Sequence, residues 1–438
     1  MGLRIMGQRG SLFSNGDGIP DAIIYDEAGV RTHLNKLDRA CYIVRTAQGI
    51  GTTWVVPSAV SAEGVGEVMA VSLAVNPEYL GDPAFLATYG LRYAYMSGSM
   101  ANAISSEAMV IALGRVGMLG AFGAGGLVPD RLETAIQHIQ QALPAGPYAF
   151  NLIHSPVEPA LERGAVDLFL KYAVHVIEAS AYIKLTPHVV RYRVAGLTTG
   201  EDDSVHINNR IIAKLSRREV AEQFMQPAPE KILSELLGQG LITQEQARLA
   251  EKVPMADDVT VEADSGGHTD NRPLVCLMPS IIELRDTLQA RHHFNTPVRV
   301  GAAGGIGTPI AALGAFMMGA AYIVTGSINH SCIEAGTSNH VKELLSQSEA
   351  TDVMMAPAAD MFEMGVKLQV LKRGTMFALR AKKLYELYET YDSLDAIPLS
   401  ERDKLERQIF KRSLDSVWDE CISFFNKRDP TQIEKAAD

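Results

Sequence analysis

The chain predicts a (β/α)8 TIM barrel, an α/β fold, on three observations. Eight short apolar runs recur between residues 92 and 325, glycine or other small residues follow several of them, and stretches of helical period lie between them. They occupy about 250 residues, the usual size of such a barrel. The first run, 92–96, ends on Ser97-Gly98-Ser99, and a helical period follows over 104–115 with Gly117 just past it. The second, 118–122, closes on Gly123-Ala124-Gly125-Gly126 ahead of a helix over 130–143. Runs at 148–153, 174–180, 210–216, 259–263, 298–302 and 322–325 complete the set. They are apolar throughout rather than alternating, as strands covered on both faces are. A doubly wound open sheet is the alternative. Its dinucleotide fingerprint is missing, because Gly120 to Gly126 lacks the G-x-G-x-x-G spacing and no acidic residue closes a nearby second strand.

Three segments lie outside the repeating units. Residues 1–85 form an N-terminal extension of short strand signals and Gly/Pro turns, and the barrel takes 86–335. Within it, 227–254 is an insertion flanked by Pro227 and Pro254, helical in pattern at 230–237 and 243–252, and suited to a lid or substrate subdomain. Residues 336–438 read as a helical C-terminal extension.

Composition narrows the function. With 40 Lys and Arg against 51 Asp and Glu, the net charge of −11 argues against nucleic acid or anionic membrane as main partner. Cys41, Cys276, Cys332 and Cys421 stand far apart, fit neither a zinc site nor a disulfide framework, and point to a reducing cytoplasm. The N-terminus has no apolar run of secretory type. No charged residue occurs from Val300 to Ile333, long enough to cross a bilayer, but Gly304 to Gly307 breaks the run and Thr308-Pro309 starts a helix. That stretch is a strand, turn, buried helix and strand.

Barrel chemistry belongs just past the strands. Gly304-Gly305 follows the seventh run and Gly326-Ser327 the eighth, the two places where barrels recurrently hold phosphate on main-chain N–H groups. Taken singly, either glycine pair would be only a turn. After the sixth run comes Glu262-Ala263-Asp264-Ser265-Gly266-Gly267-His268, which places an imidazole on a mobile loop at the barrel mouth. His138, His292, His293 and His340 read as surface residues. Lys214, inside an apolar strand, is costly unless it meets an anion or snorkels to the rim, and Asn151 is a polar residue in a similar position. No P-loop, H-E-x-x-H, G-x-S-x-G or EF-hand motif is present, and no metal is expected.

Residues Tyr93 to Asn102, 117–127, 212–220, Glu262 to His268 and 301–307 together resemble the PfaD family, the trans-acting enoyl reductases of bacterial polyketide and polyunsaturated fatty acid synthases. More distantly they resemble nitronate monooxygenases and the flavin-dependent enoyl-acyl-carrier-protein reductase. The stretch Ala356-Pro357-Ala358-Ala359-Asp360-Met361-Phe362 and the tail look particular to the PfaD branch. The resemblance implies an FMN-bound barrel with the phosphate on Gly304, Gly305, Gly326 and Ser327 and the ring near Met96, Ser97 and Gly98. Asn151 and Lys214 match positions that contact the ring or ribityl chain, Gly267 belongs to the cofactor loop, and His268 matches the active-site histidine. The family often dimerises.

The activity so implied is reduction of the α,β-double bond of an acyl-carrier-protein-bound enoyl thioester, with NADPH as reductant. His268 is the candidate proton donor. The wider superfamily often has Glu-Ala-Gly-Gly-His, whereas here Asp264-Ser265 intervene, so Asp264 is a second candidate for the acid or for fixing the His tautomer. Two other readings stand beside it: a nitronate monooxygenase using O₂, and a non-catalytic protein that docks acyl carriers. For an acidic carrier protein, Arg217 and Arg218 are the basic residues at hand.

Overall fold

The computed structural model describes residues 23–55, 67–200 and 204–435. Contacts divide the chain at Leu80. In the first unit, a helix over Glu27–Asn35 is capped by Asp26, and an antiparallel sheet has Cys41–Thr46 between Gly49–Thr53 and Glu67–Ser72.

The second unit holds a closed barrel of eight parallel strands. They are β1 (Tyr95–Ser97), β2 (Leu119–Phe122), β3 (Ala149–Ile153), β4 (Val176–Ser180), β5 (Arg210–Leu215), β6 (Asp258–Glu262), β7 (Arg299–Ala303) and β8 (Ile323–Thr325). Each pairs with its sequence neighbour, and β8 closes on β1 through Ile323↔Tyr95. All eight expected runs are barrel strands. The first begins at Tyr95 rather than 92, because Arg92 and Tyr93 donate to the Gly117 carbonyl outside the ladder. The helix expected from 104 begins at Glu107, where the Ser106 hydroxyl accepts from the Met109 N–H and caps it. His292 is half-buried and stacked on Phe294, not a surface residue.

Inward and outward positions alternate along each strand. Val259, Val261, Val300 and Ala302 face the helices, with Phe122, Phe150 and Phe169 in the same layer. Met96, Leu119, Ala121, Ala149, Ile212, Ala303 and Val324 fill the interior as a separate apolar cluster. Below it, the helix Pro83–Tyr89 closes the N-terminal face. Phe85 stacks on Tyr322 with centroids 4.1 Å apart, and the Tyr89 hydroxyl donates to Asp258 at 2.5 Å. Arg299 grips the same carboxylate with two bonds, at 2.6 and 2.8 Å.

Two expectations need correction. The insertion forms helices over Glu230–Gly238 and Gln244–Ala250, but it joins the helix after β5, Arg218–Phe224, to the start of β6. Helix-to-strand connections leave from the N-terminal face, so the segment lies opposite the mouth and is no lid over it. Arg193 holds its end there, donating to the Pro254 carbonyl at 2.9 and 3.2 Å. The C-terminal extension, in turn, is not helical throughout. Val353–Pro357 and Lys367–Leu371 form an antiparallel hairpin whose second strand also pairs with Gly267–His268. The sequence Lys-Leu-Gln-Val-Leu alternates as a half-buried strand does, a signal that the helical periods on either side obscured.

Candidate active site

At the C-terminal ends of the strands, the inward positions change from apolar to polar. Asn151 and Ser180 come from β3 and β4, Glu178 from β4, Lys214 from β5 and Glu262 from β6. Register sets Asn151 against Glu178 and Lys214 against Ser180, which gathers these side chains in one tier. Lys214 Nζ donates to Glu262 Oε1 at 2.9 Å, so the anion that a strand lysine requires is supplied within the chain. Burial works against the ammonium, but the Glu262 and Glu178 charges outweigh it and hold the Lys214 pKa above the ordinary lysine value.

Asn151 donates to the Glu178 carbonyl at 3.1 Å and to Ser180 Oγ at 2.8 Å. In the sequence, Glu178 is no more than one member of an apolar run. In the fold it is fully buried, and its Oε2 accepts from the Ser99 N–H at 2.8 Å and from the Ser99 hydroxyl. Its Oε1 has no partner among the described residues. Burial pushes this carboxyl above the usual glutamate range, although Lys214 and the Ser99 donors oppose it.

The turn after β1 closes over this tier. Met96 is buried inside the barrel, and Gly98 lies so near Glu178 that a Cβ there would sit 3.5 Å from the unpartnered Oε1. The Ser97 side chain turns outward, its hydroxyl 3.4 Å from Met109 Sδ, so Ser97 offers only main chain to the mouth.

Gly304 and Gly305 both take positive φ, +88° and +70°. A Cβ on Gly304 would strike the Ala263 and Asp264 main chain at 2.7–2.8 Å, whereas one on Gly305 or Gly326 would meet nothing within 4 Å. The turn after β7 is therefore packed on one side against the Asp264 loop and open on the other. That loop also meets the turn after β8, since a Cβ on Gly266 would lie 3.3 Å from Ser327 Oγ.

His268 and Asp264 are both held by the C-terminal hairpin segment. His268 Nε2 lies 3.1 Å from Asp360 Oδ1, and Gln369 donates to Asp264 Oδ1 at 2.8 Å. No contact ties His268 to Lys214 among the described residues, so the expected site divides into an inner tier and an outer loop. Sequence reading misses Glu178, Asp360 and Gln369; a carboxylate inside an otherwise apolar strand is the one signal available, and it marks Glu178. Arg217 and Arg218 are engaged within the chain, by Asp270 at 3.0 Å and by Glu283 at 3.2 Å, which balances their charge locally.

Comparison with known proteins gives three family matches. The nitronate monooxygenase model covers residues 87–382, the N-terminal domain of the fatty acid synthase protein PfaD covers 17–77, and the inserted helical domain of [acyl-carrier-protein] S-malonyltransferase covers 391–438. One of the polyunsaturated fatty acid synthase subunits of Thraustochytrium is 54% identical over 82% of this chain and 24% of its own length. The polyketide biosynthesis protein PksE of Bacillus subtilis is 46% identical over 82% of this chain and 46% of its own. The chain thus spans less than half the length of these curated relatives. A solved structure, the enoyl reductase domain of MlnA from the macrolactin cluster of Bacillus amyloliquefaciens, is 40% identical with a TM-score of 0.78, covering 83% of this chain and 81% of that one. The chain belongs to the PfaD family, within the nitronate monooxygenase group of oxidoreductase barrels.

Proposed function

We propose that this chain is an FMN-dependent enoyl reductase that takes reducing equivalents from NADPH and acts on enoyl thioesters carried by an acyl carrier protein. The observation that carries the reading is the inner tier: a Lys214–Glu262 pair beside a fully buried Glu178 with one unpartnered oxygen, under a loop that bears His268. The residues fit a flat cofactor with a phosphate tail. Glu178 Oε1 is a buried polar atom in want of a partner, and the main chain at Gly305 and Gly326 is open to an anion.

The chemistry FMN supplies when bound is hydride relay from the nicotinamide to the β-carbon of the thioester. Gly304, Gly305, Gly326 and Ser327 would hold its phosphate, and Met96, Gly98, the Ser97 main chain and Gly267 would line its ring. Asn151 and Lys214 would face the ring or ribityl chain, the Lys214 cation stabilising negative charge beside it. His268 would deliver a proton to the α-carbon, with Asp264 as the other acid on the same loop. The similarity to the MlnA enoyl reductase domain supports this assignment over nitronate oxidation.

Spectra test it. The reconstituted chain is expected to be yellow, to bleach anaerobically with NADPH, and to recover its colour with a crotonyl thioester. Recovery with a nitronate and O₂, without bleaching by NADPH, would assign the chain to nitronate oxidation instead. A colourless chain that takes up no FMN would leave a docking role.

A further inference from the structure

We infer that Asp360 is a positioning residue for His268, and that the hairpin carrying it is a working part of the site. The inference rests on the proposed role of His268 as proton donor and adds what aims it. His268 follows Gly266-Gly267, with Gly267 at φ +88°, so its own loop gives the imidazole little constraint. Constraint comes from far along the chain. Gly267 pairs with Gln369 and His268 with Leu368, and Asp360 meets Nε2 from 92 residues away. Gln369 on the same hairpin takes the Asp264 carboxylate, so both acid candidates are oriented by one element.

The chemistry of the contact assigns the ring nitrogens. Burial acts to lift the Asp360 carboxyl, but the His268 hydrogen bond outweighs it and holds the group below the ordinary aspartate range. An ionised carboxylate can only accept, so the hydrogen sits on Nε2. Nδ1 is then the nitrogen left to serve the substrate: it gives its proton from the imidazolium, and the ring that remains is the neutral Nε2–H tautomer held on Asp360, in the way an outer carboxylate orients a working histidine.

The test uses the full chain loaded with FMN, reduced with NADPH and mixed anaerobically with crotonyl-pantetheine. Asp360→Ala is expected to leave FMN content and bleaching near wild type, and to slow reoxidation on the order of 10–100-fold, as loss of an outer partner does. Asp360→Asn, which keeps the volume, should slow the same step, and Asp360→Glu should restore part of it. Because Asp360 acts through His268, the double variant with His268→Ala should be no slower than His268→Ala alone. In the cofactor-free chain, ¹⁵N spectra at alkaline pH should show His268 as the Nε2–H tautomer, and Asp360→Ala should lose that preference. Normal reoxidation in both Asp360→Ala and Asp360→Asn, an additive double variant, or an Nδ1–H tautomer in the parent would overturn the assignment while leaving His268 in place. A wild-type rate in His268→Ala would remove the parent role, and this one with it.

Discussion

Glu178 shows how much a single residue's surroundings decide. Its carboxyl is enclosed, two donors from Ser99 reach one oxygen, and the other oxygen has none. Since burial raises its pKa, the folded chain holds this proton more tightly than the unfolded chain does. The linked stability is complete below the ordinary glutamate range and is lost as pH rises through the raised value. Glu178→Gln keeps the shape and an acceptor for Ser99 but cannot ionise. Its melting temperature should therefore exceed wild type at about pH 8 and lose that advantage near the glutamate range of about pH 4. Thermal scans across that interval decide the matter; a gap independent of pH would mean that Glu178 ionises alike in both states.

Among the elements, the turns after β7 and β8 and the hairpin from Val353 to Leu371 fix the mouth. Gly304 and Gly305 both need left-handed backbone, which costs a non-glycine residue about 1–2 kcal/mol. Only at Gly304 would a methyl also collide with main chain, that of Ala263 and Asp264. Gly305→Ala should cost about 1 kcal/mol and keep the Asp264 loop in place. Gly304→Ala should cost clearly more, on the order of 2–4 kcal/mol with the collision included, and displace that loop. Urea midpoints compare the two, and equal losses would show that the collision relaxes freely. These turns are legible in the sequence because glycine next to an apolar run is a local signal. The role of Asp360 is not, even though its Ala-Pro-Ala-Ala-Asp stretch stands out. Its contact with His268 reaches across 92 residues and rests on a strand pairing between Gly267–His268 and Leu368–Gln369, which no local pattern encodes. The insertion at 227–254 is visible as an element but not in its place, since helical period gives no face of the barrel. Connection order does, and it sets the insertion at the N-terminal side.

Taken as a whole, the barrel carries polar tiers at both ends of an apolar interior, and they differ in how they are satisfied. At the mouth, Glu178 keeps a free oxygen beside Lys214, an arrangement that costs stability and suits ligand chemistry. At the N-terminal face, both Asp258 oxygens accept from Arg299, Tyr89 adds a third donor, and a further Arg299 nitrogen donates to Thr88 Oγ1 at 2.8 Å. The Arg299 guanidinium also lies over the Phe85 and Tyr89 rings, 5.6 and 5.7 Å from their centres. Polar groups at that end of a barrel serve stability. Removing one partner of a buried pair strands the other, so Arg299→Met should lower stability by about 3–5 kcal/mol. Replacing both, as Asp258→Leu with Arg299→Met, removes the stranded charge and should recover a large part of the loss, leaving the unpaired Tyr89 hydroxyl as the remaining cost. Because this tier lies at the far face from the residues proposed to hold FMN, neither change should weaken FMN retention in the fraction that folds. Denaturant midpoints and FMN titration together check the claim: if Arg299→Met stripped the cofactor from folded protein, the two ends would not be independent and the division of labour between them would fail.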